Sequence, residues 1–131
     1  MTDPKDVSGV WYGSWDATSP DVTPNRFIAH LHERGGSVTG TVSEPDRVGI
    51  TDILTSDVSG RRSGTAIDWT KQYDGSGRLA HAVHYSGRVD EAATRISGDW
   101  RFDGYTGSFA MERELFDADE LDEENEIVLD L

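Results

Sequence analysis

The stretch TRISGDWRFDGYTGSFAMERE, residues 94–114, alternates apolar and polar side chains on both sides of an Asp103–Gly104 pair. Successive side chains of a strand point to opposite faces, so Ile96, Trp100 and Phe102 share one face and Asp99 and Arg101 the other. Phe109 and Met111 repeat the pattern opposite Glu112. Asp-Gly tolerates the left-handed backbone of a tight turn, so the segment reads as a hairpin of two strands, Thr94 to Phe102 and Thr106 to Glu114.

The same rhythm extends towards the N-terminus over Gly9 to Trp15, Arg26 to Glu33, Ser37 to Ser43, Gly49 to Thr55, Ser63 to Tyr73 and Arg78 to Val89. Turn residues separate these runs at Gly35 and Gly36, Pro45 and Asp46, Ser59 and Gly60, and Asp74 to Gly77. Short alternating strands at regular spacing, without helical periodicity, predict an all-β chain: an eight-stranded antiparallel up-and-down β-barrel. Only the connection from Asp16 to Asn25 is long, and its Pro20 and Pro24 exclude a central strand and suit a lid. The fourth strand carries apolar residues on both parities.

Parity assigns Trp11, Phe27, Leu31, Val38, Val42, Ile67, Trp69, Val83, Tyr85, Ile96, Trp100, Phe102, Phe109 and Met111 to the interior. The opposite face carries His30, His32, Thr39, Thr41, Asp68, Thr70, His84, Arg88, Asp99, Arg101 and Glu112, a solvent-facing composition. On this reading the inward face holds no polar cluster.

Residues 1–115 form the expected barrel domain, and residues 116–131 an acidic, flexible tail. The net charge of −13 is uneven: residues 1–115 hold 17 acids and 12 bases, and the tail holds 8 acids and no base. Without a basic stripe to displace phosphate counterions, nucleic acid and anionic membranes are not expected partners. The absence of cysteine excludes disulfides, thiolate chemistry and Cys-based zinc sites. A polar Met1 to Val7 without a signal-peptide core, and no apolar run of membrane-spanning length, place the chain in the cytosol as an expectation.

Two resemblances follow from the aligned strands. Gly9-Val10-Trp11 near the start and Arg113 near the end resemble the calycin pattern, in which a GxW tryptophan and a late arginine close the barrel base. A guanidinium over an indole gains cation–π energy there while plugging the end. SGVWY at 8–12, VTGT at 38–41, SGTAIDW at 63–69, AHAVHYSG at 80–87 and RISGDW at 95–100 are similar, in order and spacing, to strands of avidin and streptavidin. The resemblance implies an aromatic pocket wall at Trp69, Tyr85 and Trp100. It also implies polar biotin partners where this chain has Gly13, Val42 and, for a last-strand aspartate, only Gly107. The short Asp103–Gly104 turn leaves no room for the loop tryptophan that a neighbouring subunit contributes in that family. A buried ureido without its partners leaves polar groups unpaired, at about 1–3 kcal/mol each, so tight biotin binding is not expected.

The expected ligand site is therefore Trp69, Tyr73, His81, Tyr85, Trp100 and Phe109, at a mouth ringed by Trp15, Glu44, Lys71, Tyr73, Leu79, His81 and Phe102. His81 would orient the polar end of a ligand, since imidazole titrates near neutral pH. Filling of the interior by these side chains is the structural alternative. His30 and His32 share the outward face without a third ligand, so neither a metal nor a cofactor is expected.

Two functions remain open: a non-catalytic binding barrel for a small apolar or aromatic ligand, and a cyclase- or isomerase-type enzyme using His81 or Tyr73. A third is a solid barrel acting as an interaction module, its tail docking a protein partner through Ile127 to Leu131. Ala66, Ala80 and Ala82 on the outward parity suit a homodimer, because small side chains let two sheets approach.

Overall fold

The computed structural model describes residues 5–45, 53–73 and 82–114. They form eight strands: β1 (Gly9–Ala17), β2 (Asn25–Arg34), β3 (Ser37–Pro45), β4 (Ile53–Ser63), β5 (Ala66–Tyr73), β6 (Ala82–Val89), β7 (Arg95–Phe102) and β8 (Tyr105–Arg113). Each pairs antiparallel with its neighbour in sequence, and β1 pairs with β8 from Trp11↔Arg113 to Ala17↔Gly107, closing the barrel. Closure removes the open sheet edges that would otherwise template aggregation. Among the described residues no helix is long and apolar enough to cross a membrane.

Alternation decides the interior. Burial follows a strict period of two along β2, where Asn25, Phe27, Ala29, Leu31 and Glu33 point inward and their neighbours are exposed. Of the residues assigned to the interior by parity, all are buried except Phe102, which is half-buried at the end of β7 and packs against the core from the rim. The Asp103–Gly104 turn has the paired positive φ values, 45° and 84°, that its residues favour.

The fourth and fifth strands depart from expectation. β4 is Ile53–Ser63, not Gly49 to Thr55, and β5 begins at Ala66 because the turn is made at Gly64, with φ +61°, and Thr65. Ser59 and Gly60 lie inside β4. Gly60 serves close strand approach instead of turning the chain: a Cβ there would stand 2.0 Å from the Asp68 carbonyl oxygen. The inward positions of β4 are Leu54, Ser56, Val58, Gly60 and Arg62, of which three are polar or glycine, too few apolar for an alternation to show. β1 and β2 also extend further than expected, shortening the long connection to residues 18–24. Residues 46–52, 74–81 and the tail from 115 lie outside the described residues.

The base is closed as the GxW and late arginine suggest. The Arg113 guanidinium lies over the Trp11 ring, 4.8 Å from its centroid, and Trp11 Nε1 donates to the Val7 carbonyl at 2.9 Å. Behind this plug, Arg62 donates to both Glu33 oxygens, at 2.5 and 2.7 Å, and to the Gly64 carbonyl at 2.6 Å. Glu33 also accepts the Val7 amide at 3.2 Å. This forked pair is fully inside the barrel, which its opposite charges and extra donors permit.

Candidate functional site

The opposite end of the barrel, where β1, β3, β5 and β7 finish, has a different construction. Just inside the rim, Glu44 of β3 and Lys71 of β5 form a buried ion pair, with Nζ 3.0 Å from Oε1. The Tyr73 hydroxyl donates to the same oxygen at 2.5 Å, while Trp15 Nε1 and Asn25 Nδ2 donate to Oε2 at 3.1 and 3.3 Å. Four donors from three strands, β1, β2 and β5, thus converge on one carboxylate. Lys71 Nζ also lies over the Tyr73 and Tyr85 rings, 4.6 and 5.3 Å from their centroids. The expectation that the inward face holds no polar cluster is corrected: the charged side chains are inside because they satisfy one another.

Burial alone would lower the Lys71 pKa, but the Tyr85 and Tyr73 oxygens and Glu44 outweigh it and hold the ammonium above the usual lysine range. Burial pushes the Tyr73 hydroxyl up despite the opposing Lys71 charge, and does the same to Tyr85. Lys71 is therefore a fixed cation, not an amine nucleophile, and Tyr73 is a protonated donor, not a base at neutral pH.

Above this cluster a cavity of about 210 Å³ opens at the mouth, lined by Trp15, Val22, Lys71, Tyr73, Val83, Tyr85, Trp100, Phe102 and Tyr105. Val22 comes from the long first connection, which brings that segment to the mouth as a lid would. The wall between strands is aromatic: Trp15 meets Trp100 edge to face at 5.6 Å, and Trp100 Nε1 is spent on the Asp16 carbonyl at 2.9 Å. Space for the Trp100 ring comes from Gly107 on β8, where a Cβ would lie 2.5 Å from the indole.

The expected ligand residues divide. Tyr73, Tyr85 and Trp100 line the cavity. Trp69 and Phe109 lie below it and pack with Tyr85 as a closed aromatic trio, Trp69 stacked on Tyr85 at 5.1 Å and Phe109 edge to face with each at 5.2 and 5.1 Å. They form the floor. Beneath it the remaining gap is about 10 Å³, on the order of one probe sphere, so the lower barrel is filled. His81 and Leu79 lie outside the described residues, as does Ala80.

Glu44, Lys71 and Trp15 were legible as mouth residues by parity, but Asn25, Val22 and Tyr105 were not. The sequence puts Asn25 at the end of the long connection, Val22 has no periodic signal, and Tyr105 sits beside a turn. A larger concavity of about 920 Å³ lies on the outside of β4 to β8, lined by outward side chains including Arg61, Asp68, His84, Asp99 and Arg101. His30 and His32 are exposed on β2, and among the described residues no group of three metal-ligating side chains is assembled.

No family model matches this sequence, and no curated protein matches it. Among solved structures, the chain is similar to a redesigned β-barrel, with a TM-score of 0.69 and 14% identity over 83% of this chain and 92% of that one. It is also similar to a de novo designed fluorescence-activating β-barrel, with a TM-score of 0.62 and 14% identity over 87% of this chain and all of that one. Both are likenesses of fold.

Proposed function

We propose that this protein is a non-catalytic binding barrel that holds one small apolar or aromatic molecule in its mouth cavity. The observation that carries the reading is the division of the interior: a gap of only about 10 Å³ in the lower barrel, an aromatic trio, and about 210 Å³ at the mouth. An apolar cavity of ~150 Å³ accommodates benzene, so the mouth suits one ring with a short substituent. The barrel of similar fold that is described as fluorescence-activating makes a small environment-sensitive dye a sensible member of the first probe set.

The enzyme reading through Tyr73 has little support, since its proton is committed to Glu44 and burial strengthens its hold. His81 as an orienting group remains part of the proposal. The avidin-like reading of Trp69, Tyr85 and Trp100 is supported by their direct pairing across β5, β6 and β7. Its polar half is not: Gly13 leaves no space, a Cβ there standing 2.5 Å from Phe27, and Val42 is a buried hydrocarbon. Biotin should therefore bind weakly, and a nanomolar constant by calorimetry would overturn that part.

The primary test is a panel of single-ring compounds read by tryptophan emission and melting temperature. Trp15 and Trp100 line the cavity, so occupancy should change emission and raise the melting temperature in proportion to ligand excess. A panel that moves neither observable removes the binding reading.

A further inference from the structure

The polar atoms of the mouth can be followed one by one. Both cavity-lining indole N–H groups are spent, Trp15 on Glu44 and Trp100 on the Asp16 carbonyl. The Tyr73 hydroxyl is spent on Glu44 as well. Lys71 is directed to Glu44, and its ammonium lies against the Tyr73 and Tyr85 rings. Tyr85 is different: it lines the cavity with the Lys71 ammonium 5.3 Å from its ring centroid, and among the described residues its hydroxyl proton meets no acceptor. A fixed cation beside a phenol makes its hydroxyl a stronger donor, because the positive charge favours moving the proton towards an acceptor.

Resting on the binding reading above, we infer that the mouth selects a neutral aromatic compound carrying a single hydrogen-bond acceptor, such as an aryl ketone, and that Tyr85 is the residue that donates to it. Charge decides between a neutral acceptor and an anion. Lys71 is already neutralised by Glu44 at 3.0 Å, so a carboxylate ligand would add a second negative charge to a buried site holding one cation. A hydrocarbon would fill the same space but leave the Tyr85 donor unpaired against an apolar group.

The experiment compares acetophenone, its hydrocarbon isostere α-methylstyrene, and benzoate by titration calorimetry on the full chain and on Tyr85→Phe. In the native protein the ketone should bind about tenfold more tightly than the hydrocarbon, as one unpaired donor implies, with benzoate weakest. Tyr85→Phe should abolish that preference, bringing the ketone's affinity level with the hydrocarbon's on the same variant. Carbonyl-labelled acetophenone gives a second readout that needs no variant: its infrared stretch should move to lower frequency on binding. Equal affinity for ketone and hydrocarbon, an unshifted carbonyl, or tightest binding by benzoate would each overturn the inference while leaving the pocket standing. Binding by none of the three would overturn the pocket and the inference together.

Discussion

Lys71 Nζ and Glu44 Oε1 meet at 3.0 Å inside the barrel mouth, although 27 residues separate them in the chain. Both side chains are almost fully withdrawn from water, so each depends on the other to stay charged. Replacing Glu44 by Leu should cost about 3–5 kcal/mol, because it strands a buried ammonium. Adding Lys71→Met to that variant should recover part of the loss, since it removes the stranded ammonium while the Trp15 and Tyr73 donors still lack their acceptor. Urea unfolding of the single and double variants measures both; a double variant no more stable than the single would contradict the account.

The Glu33–Arg62 pair should behave in the same way at the other end. Arg62→Met is expected to destabilise by about 3–5 kcal/mol through the stranded Glu33 carboxylate. Because this pair shares no partner with Glu44, its effect should add to that of Glu44→Leu within about 0.5 kcal/mol. A clear deviation from additivity in denaturant unfolding would mean that the two ends are coupled through the core.

Alkaline pH should weaken the fold from the mouth. Lys71, Tyr73 and Tyr85 all hold their protons more tightly than usual in the folded state. The unfolded chain releases the corresponding protons at about pH 10, so above that value it binds fewer protons than the folded chain and stability falls with rising pH. Between pH 7 and about 9 these groups should contribute fully and evenly. Chemical unfolding from about pH 7 to about pH 12, with tyrosinate absorbance followed in parallel, should show a late-titrating phenol class that Tyr73→Phe reduces.

Gly107→Ala should be far more damaging than Gly35→Ala. At Gly107 a Cβ would stand 1.9 Å from the Asp16 carbonyl oxygen and 2.5 Å from the Trp100 ring, displacing the cavity wall. At Gly35 nothing lies within 4 Å, and only the φ of +58° resists the change. The expected losses are about 3 kcal/mol or more for the first, from overpacking, and about 1–2 kcal/mol for the second, from left-handed backbone strain. Thermal unfolding resolves the two, and comparable losses would mean that the close approach at Gly107 relaxes freely.

Trp100→Ala should cost about 3–5 kcal/mol of stability, since it removes a large buried ring and leaves the Asp16 carbonyl without its 2.9 Å donor. It should also open the mouth cavity towards β8. Larger ring compounds should then gain affinity relative to single-ring ones, which a competition titration would report.

Strand alternation and turn chemistry determined the barrel from the sequence alone. Each inward aromatic on β5 to β8 could be assigned because a strand has only two faces and one of them is apolar. The Trp11–Arg113 closure was legible for a related reason: first and last strands must become neighbours when a meander closes. What parity could not supply was β4, whose inward positions beyond Leu54 and Val58 are Ser56, Gly60 and Arg62. There the tertiary structure decided, because Arg62 is admitted to the interior only by Glu33 on a strand two places away. The same holds at the mouth. Glu44, Lys71, Tyr73, Trp15 and Asn25 are individually unremarkable in the chain, and only ring closure and register bring their polar atoms within hydrogen-bond reach. Periodicity records which face a residue occupies; which charged groups meet across the barrel depends on the stagger between strands, and that is a property of the closed sheet.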